Sequence, residues 1–422
     1  MCFLWLVNSM RNRVVITGAG VVSSLGDSSS SLQLSLCSGR RAVKPVELFS
    51  TAGLGCPLGG EIPCFDAQKY LGRRNLRPLD RTSRLVASAA QLALNDSGWS
   101  GSILNQEEVG LVLGTMFCSV HTISEFDRRA LEVGPAYASP MDFSNTVINA
   151  AAGQTAIIHN LRGINSTIST GITSGLQAIA YATEVIRSGR ARAILAGGAD
   201  EMCFESFYGF DRAGLLCRSE HSAGDFPIPF DKRRNGFALG EGAALLMLED
   251  AHFARERGAQ TLAEITGHGC GYDCSQGEDE ESAVNSIALS VRRTINDASA
   301  GPHEIDCLSA SANGSHAGDR HEAKGVFAGL NGQTRKLPVT AIKSMLGETL
   351  GASGPMQAIA LLETMRDGVL PGINGLEQVE DDFAFDMISS DNREIDLETA
   401  LVNSAGFDGH CCSLVLARCN EN

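Results

Sequence analysis

What most constrains this chain is an alternation, kept up along almost its whole length, of short apolar runs that end in glycine with stretches of helical length and periodicity. After Arg13 the run VVITGAGVVSSLG reads as a buried strand ending in glycines, followed by a helix-like stretch to about Leu36. Residues 81–98 (RTSRLVASAAQLALNDSG) form an amphipathic helix with a glycine stop, and VGLVLGTM is a strand. NTVINAAAGQTAIIHNLRG is a helix, INSTISTG a strand, ITSGLQAIAYATEVIRSG a helix and ARAILAGGAD a strand. From about Gln260 the same vocabulary returns through TLAEITGHG, DCLSASANG, LPVTAIKS and GPMQAIALLETMRDG, closing on ETALVNSAGFDGHCCSLVLARC. Such alternation implies βαβ units in a layered α/β architecture. It divides the chain into an extension over 1–12, a first half over 13–258 and a second over 259–422, although no repeat is visible in the letters.

With 422 residues and 43% hydrophobic content, the chain can bury a large core. Its 49 acidic against 34 basic side chains give a formal charge of −15, which disfavours nucleic acid and anionic membrane surfaces as partners. The patch Cys2–Val7 near the start is shorter than the roughly 18 residues a membrane span needs, and no signal-peptide layout surrounds it. Met10 stands directly before the first strand, so the preceding nine residues read as a start-site extension. Thirteen scattered cysteines show no framework spacing, which fits reduced thiols and a cytoplasmic location. A dinucleotide site at TGAG is weakly supported: the third glycine of that fingerprint is missing and no acidic residue follows about 20 positions on. No cofactor is expected. No metal is expected either, since His268, Cys270 and Cys274 lack a fourth ligand at a recognisable spacing.

The stretch STGITSG, Ser169 to Gly175, has the layout of a catalytic turn. A strand that turns sharply into a helix holds the turn residue at the positive end of the helix dipole, where a cysteine would be a reactive thiolate. Here the turn carries Ile172. The layout resembles the β-ketoacyl synthases of the thiolase superfamily, whose motif T-A-C-(S/T)-S-G is matched by Thr170, Thr173, Ser174 and Gly175, with Ile172 in the cysteine's place. LAGGAD, Leu195 to Asp200, matches the following strand and turn, and PFDKRRNGFALGEGA, Pro229 to Ala243, matches every specified letter of a long family signature. The resemblance implies a thiolase-like fold: duplicated βαβαβαββ halves in five layers, α-β-α-β-α.

It also implies a condensation in which a cysteine carries the acyl chain and two histidines assist decarboxylation of a malonyl unit by donating hydrogen bonds to developing oxyanions. The first histidine's segment reads SASANGSHAGD, Ser309 to Asp319, with Ser311 at that position and Glu322 beyond. The second histidine's segment, Lys343 to Gly354, keeps its framework but carries Glu348 in the histidine's place. A carboxylate there is expected to repel a malonyl carboxylate and an enolate. The retained Lys343, which the resemblance implies would support the histidines, is expected to form a buried structural ion pair with Glu348. In NSAGFDGHC, Asn403 to Cys411, Phe407 matches the residue gating the acyl site, Asp408 replaces a flexible glycine and Ala405 an aromatic.

Three replacements inside intact frames give the expectation that the chain is no enzyme by itself and that Ile172, Ser311 and Glu348 are degenerate catalytic positions. Within the superfamily this pattern resembles chain-length factors, which form a heterodimer with an active β-ketoacyl synthase in type II polyketide or aryl-polyene systems and shape the acyl tunnel. The resemblance implies tunnel and gating candidates at Met116, Phe117, Phe143, Phe407 and Asp408. It implies an acyl carrier protein reached through the partner, because a strongly acidic chain docks an acidic carrier poorly except near local basic pairs such as Arg40, Arg41 and Arg73, Arg74. Two alternatives stay open: a stand-alone acyltransferase or thioesterase with its nucleophile moved to Cys411 beside His410, and an acyl-binding homodimer.

Overall fold

The computed structural model describes residues 11–73, 76–99, 107, 109–218, 226–332, 337–381, 383–389 and 391–419; the first ten residues of the extension and Arg74 lie outside them. Strands β1 (Val14–Ser23), β2 (Val109–Gly114), β3 (Asn165–Ile168), β4 (Ala193–Asp200), β5 (Gly242–Asp250) and β6 (Ala263–Tyr272) precede β7 (Cys307–Ser309), β8 (Pro338–Thr340), β9 (Asp386–Met387), β10 (Thr399–Ala405) and β11 (His410–Ala417). They make an 11-stranded hydrogen-bonded series ordered β9-β8-β7-β10-β11-β6-β1-β5-β4-β2-β3. Read outward from the middle, β1-β5-β4-β2-β3 and β6-β11-β10-β7-β8 are the same topology. In each, two antiparallel pairings are followed by two parallel ones. The two sheets meet only where Val15 and Ile16 pair with Glu264 and Ala263, so the series bends into two layers there.

The period-two alternation of strand side chains shows what each sheet face covers. On β5, Ala244, Leu246 and Leu248 join one apolar cluster while Ala243, Leu245 and Met247 join another. On β11, Cys412, Leu414 and Leu416 enter that same first cluster, whereas Cys411 and Val415 face a third. The shared cluster is the middle layer, filled by helices over Ser174–Arg187 and Ser353–Asp367. Arg81–Asp96 and Ala150–His159 cover the outside of the first sheet; Glu280–Ala298 and His316–Gly329 cover the second. These are the five expected layers. Among the described residues no helix is long and apolar enough to cross a membrane.

In chain order we label the helices α1 (Arg81–Asp96), α2 (Val120–Glu132), α3 (Ala150–His159), α4 (Ser174–Arg187), α5 (Phe204–Arg212), α6 (Glu280–Ala298), α7 (His316–Gly329) and α8 (Ser353–Asp367). The middle layer positions the site. Helices α4 and α8 approach so closely that a Cβ on Gly175 would overlap the Gly351 carbonyl and the Pro355 ring. Only glycine allows this approach.

Candidate functional site

The turn into α4 is held by its own short side chains. Thr173 Oγ1 donates to the Thr170 carbonyl at 2.8 Å, and the Thr170 amide donates to Ser174 Oγ at 2.9 Å. Gly171 has φ 61°, the left-handed conformation that costs residues with a Cβ. Ile172 is buried in an apolar cluster with Met202, Phe207, Phe210, Phe237 and Leu350. A side chain that forms no thioester and exchanges no proton therefore occupies the head of the helix.

Around Glu348 the ion pair with Lys343 is present, and three further donors join it. Its Oε2 accepts from Lys343 Nζ at 2.8 Å and Asn313 Nδ2 at 2.9 Å; its Oε1 accepts from the Leu350 amide at 3.0 Å and Ser353 Oγ at 2.5 Å. Both charged groups are fully buried. The carboxylate is neutralised by Lys343 and saturated by four donors, so it repels an incoming anion far less than its letter suggests. Lys343 also donates to Ser311 Oγ at 3.2 Å, and that hydroxyl donates to the Ala405 carbonyl at 3.2 Å. Behind Ser311, Glu322 accepts from the Ser311 amide at 2.7 Å and from Asn403 Nδ2 at 2.6 Å. Burial pushes the Glu322 carboxyl up to about 7 and the buried Asp319 carboxyl up to about 6.

The 405–409 loop folds over the turn. A Cβ on Gly171 would overlap the Asp408 carboxylate, and burial raises the Asp408 pKa. Phe407 is exposed and meets the Phe210 ring edge-on at 5.7 Å; Phe210 in turn meets Phe117 at 5.7 Å and Phe237 at 5.4 Å. Phe117 and Phe407 thus belong to one aromatic row beside Ile172, with Met116 packed against the same cluster. Phe143 lies elsewhere, exposed at the surface against the Phe126 ring at 5.9 Å. A cavity of about 190 Å³ runs from Ile172, Phe237 and Phe407 past Ser311 and Asn313 to Glu322, Ser286 and Cys411.

One organising residue escaped the sequence reading. Asp200, the last letter of LAGGAD, is fully buried. It accepts from Thr115 Oγ1 (2.8 Å) and from the amides of Met116 (2.9 Å), Phe117 (2.9 Å), Cys118 (3.0 Å) and Gly351 (2.9 Å). It fixes the loop bearing Met116 and Phe117 to the segment that follows Glu348. The available signal was a carboxylate ending a strand of otherwise small and apolar residues.

The β-ketoacyl synthase N-terminal domain family matches residues 11–254 and the corresponding C-terminal domain family matches residues 262–377. This chain belongs to the β-ketoacyl synthase family. The 3-oxoacyl-[acyl-carrier-protein] synthase 2 of Vibrio harveyi is 31% identical over 413 residues, 97% of this chain and 100% of that protein. The tetracenomycin polyketide synthase ketoacyl synthase alpha subunit of Streptomyces glaucescens is 30% identical, with 97% and 98% covered. Among solved structures, the ishigamide ketosynthase/chain length factor superposes with a TM-score of 0.90 at 28% identity, covering 97% of this chain and 100% of that one.

These comparisons correct the expectation that the chain is no enzyme by itself. Relatives matching from end to end at about this identity are named as synthases, in Vibrio, Coxiella and Synechocystis alike. The physical reason is one of scope. Ile172, Ser311 and Glu348 remove the side chains of one catalytic route, and a count of lost side chains does not show a ketosynthase-family chain to be inactive.

The structure also places the candidate relocated nucleophile and the candidate metal ligands. Cys411 lines the cavity, but burial pushes its thiol up to about 12, and its polar neighbours are Ser286 Oγ at 3.4 Å and the Gly409 carbonyl at 3.8 Å. His410 stacks on Tyr272 with 4.7 Å between ring centroids. A thiol held protonated without a base against it is a poor nucleophile. His268 and Cys270 also part company: His268 Nε2 meets Glu184 at 3.1 Å, Cys270 meets Cys412, and Cys274 is exposed. Glu184, His268 and Asp297 stand close enough to hold a cation, but Arg187 already pairs with Asp297 at 2.6 Å and with Glu184 at 3.2 Å.

Proposed function

We propose that this chain pairs with an active β-ketoacyl synthase as a chain-length-factor-type subunit, in a type II polyketide or polyene system, and supplies part of the wall against which the acyl chain grows. The observation that carries the reading is an apolar band between α2 and the end of α3. Leu131, Tyr137, Phe143 and Ile157 are 86%, 71%, 62% and 76% exposed, with Val133 and Val147 between them. Large apolar side chains gathered in this way on a water-facing segment mark a surface that another protein covers.

The site's interior supports the same reading. Apolar Ile172 and Phe407 line the cavity an acyl chain would enter, and the aromatic row continues from Phe407 through Phe210 to Phe117, whose amide Asp200 holds in place. Phe143, exposed in the band, faces the partner. The acyl carrier protein reaches the pair through the partner, since this chain's formal charge of −15 opposes direct docking of an acidic carrier.

Co-expression with candidate ketosynthases followed by native mass measurement tests the pairing. A 1:1 complex, with the chain poorly soluble alone, is the expected result. A soluble homodimer that takes up no ketosynthase would overturn it.

A further inference from the structure

Away from the cavity, two thiols face one another across the first two strands of the second sheet, next to its junction with the first. Cys270 on β6 and Cys412 on β11 are direct register partners in an antiparallel ladder, with their sulfurs 3.7 Å apart in hydrogen-bond contact. Two contacts show which kind of register pair this is. The His268 amide donates to Asp297 Oδ2 at 3.1 Å, and the Cys270 carbonyl accepts from Arg293 Nη1 at 2.7 Å. Both backbone groups thus point away from β11. Residues 268 and 270 share one phase of the ladder, so Cys270 and Cys412 form a non-hydrogen-bonded pair, in which Cα atoms stand about 4.5 Å apart and side chains lie closest. A disulfide accepts Cα separations of about 4.4–6.8 Å.

The two thiols are unequal in a useful way. Cys270 is half-buried, while Cys412 is fully buried. The hydrogen-bond contact with Cys412, and then the positive fields of His268 and Arg293, bring the Cys270 thiol down to about 7, whereas the contact with Cys270 and burial raise that of Cys412. A partly exposed thiolate backed by a protonated resolving thiol is the arrangement that reacts with disulfides.

We propose that Cys270 and Cys412 are a thiol modification site, at which Cys270 accepts a mixed disulfide from a low-molecular-weight disulfide and Cys412 resolves it into a cross-strand bond. The Cys270 thiolate attacks one sulfur of oxidised glutathione, breaking that S–S bond and releasing one glutathione thiolate. Cys412 attacks the Cys270 sulfur and passes its proton to the departing glutathione thiolate, which leaves as the second glutathione. Two protein thiols are oxidised and one small disulfide is reduced to two thiols. The bond would fasten β11 at its base, two residues after His410. There the preceding 405–409 loop is tied to the end of β6, where the Asp273 amide donates to the Gly409 carbonyl at 2.8 Å. A second thiol pair, Cys56 and Cys217 with sulfurs 3.6 Å apart, is buried on both sides and serves as an internal control.

The test exposes the reduced full-length chain to oxidised glutathione under native conditions, quenches with acid, alkylates free thiols and maps peptides by mass spectrometry. The expected product is a peptide pair joined through Cys270 and Cys412, with Cys56 and Cys217 still alkylated. The C412S variant should stop at glutathionylated Cys270. The proposal is overturned if Cys270 and Cys412 are both recovered alkylated after an exposure that glutathionylates the exposed Cys64. It is equally overturned if C412S leaves Cys270 unmodified.

Discussion

Removing the Lys343 ammonium while leaving Glu348 in place tests whether that carboxylate is a structural element. Lys343 Nζ lies 2.8 Å from Glu348 Oε2, and the side chains are 2% and 0% exposed. In K343M a buried carboxylate keeps three neutral donors but loses its counter-charge, a change that costs about 3–5 kcal/mol. At about 2.1 cal/mol/K of unfolding entropy per residue, a 422-residue chain unfolding as one unit has about 0.9 kcal/mol/K, so K343M should melt about 3–6 °C below wild type. E348Q should also melt lower, because four donors converge on a side chain with only one acceptor oxygen, and its amide must face either the Lys343 ammonium or the Leu350 amide. In the double variant K343M/E348Q the amide turns toward the methionine, and the cycle should show a coupling of about 1–3 kcal/mol. Thermal melts at one scan rate, read by intrinsic fluorescence and by circular dichroism, give all four values. A K343M melt within about 1 °C of wild type, or a double variant with losses that simply add, would refute the description of Glu348 as a paired, saturated group.

Three further outcomes follow from the same geometry. G171A should melt several degrees low, since its Cβ would overlap the Asp408 carboxylate, and G171A/D408G should recover all but the roughly 1–2 kcal/mol of left-handed strain at φ 61°; no recovery would show that Asp408 does not cap the turn. F117A, in complex with a ketosynthase partner, should shift products toward longer chains by at least one extender unit; an unchanged distribution by liquid chromatography and mass spectrometry removes Phe117 from the tunnel wall. The Glu322 carboxyl is raised from 4.5 to about 7, so the folded state holds a proton that the unfolded chain releases. That contribution is fully present below about pH 4.5 and is lost as pH rises through about 7, falling by up to about 3 kcal/mol. E322Q should flatten this part of the stability–pH curve, leaving the smaller slope from Asp319; an unchanged slope places the titration elsewhere.

Motif frames proved more legible than the charges set within them. The glycines of the α4 turn, the long signature from Pro229 to Ala243 and the spacing of residues 343–354 announce the fold, because close helix packing and tight turns leave few choices of residue. At Glu348 the letters offered a negative charge and one counter-charge, Lys343. Its partners Asn313, Leu350 and Ser353 approach through tertiary folding, and only Lys343 could be paired with it on paper. Phe143 aligned with tunnel positions, yet its exposure depends on how α2 and α3 lie on the surface. Asp200 organises the loop after β2 from 82 to 85 residues away and reaches Gly351 across 151, so its place at the end of an apolar strand is the one local sign of a role whose partners are all distant. Hydrogen bonds that converge on one carboxylate from distant segments leave almost no trace in a single sequence.

The replacements are best understood as mutually dependent. A glutamate at 348 is tolerable because Lys343 and three donors meet it; moved to another framework it would be an unpaired buried charge. An aspartate at 408 is tolerable because residue 171 is a glycine, and no other residue leaves room for that carboxylate. Ile172, for its part, fits a pocket already walled by Phe207, Phe210 and Phe237. A cysteine restored at 172 alone would sit among apolar neighbours with the Asp408 carboxylate over the adjoining turn, and both influences raise a thiol's pKa. The surroundings have therefore adjusted to the present residues, and Ser311, with one hydrogen bond from Lys343 and one to Ala405, belongs to the same adjusted network. The network leaves the cavity electrically balanced, with Phe407 in its lining and Phe117 one ring further out, beyond Phe210.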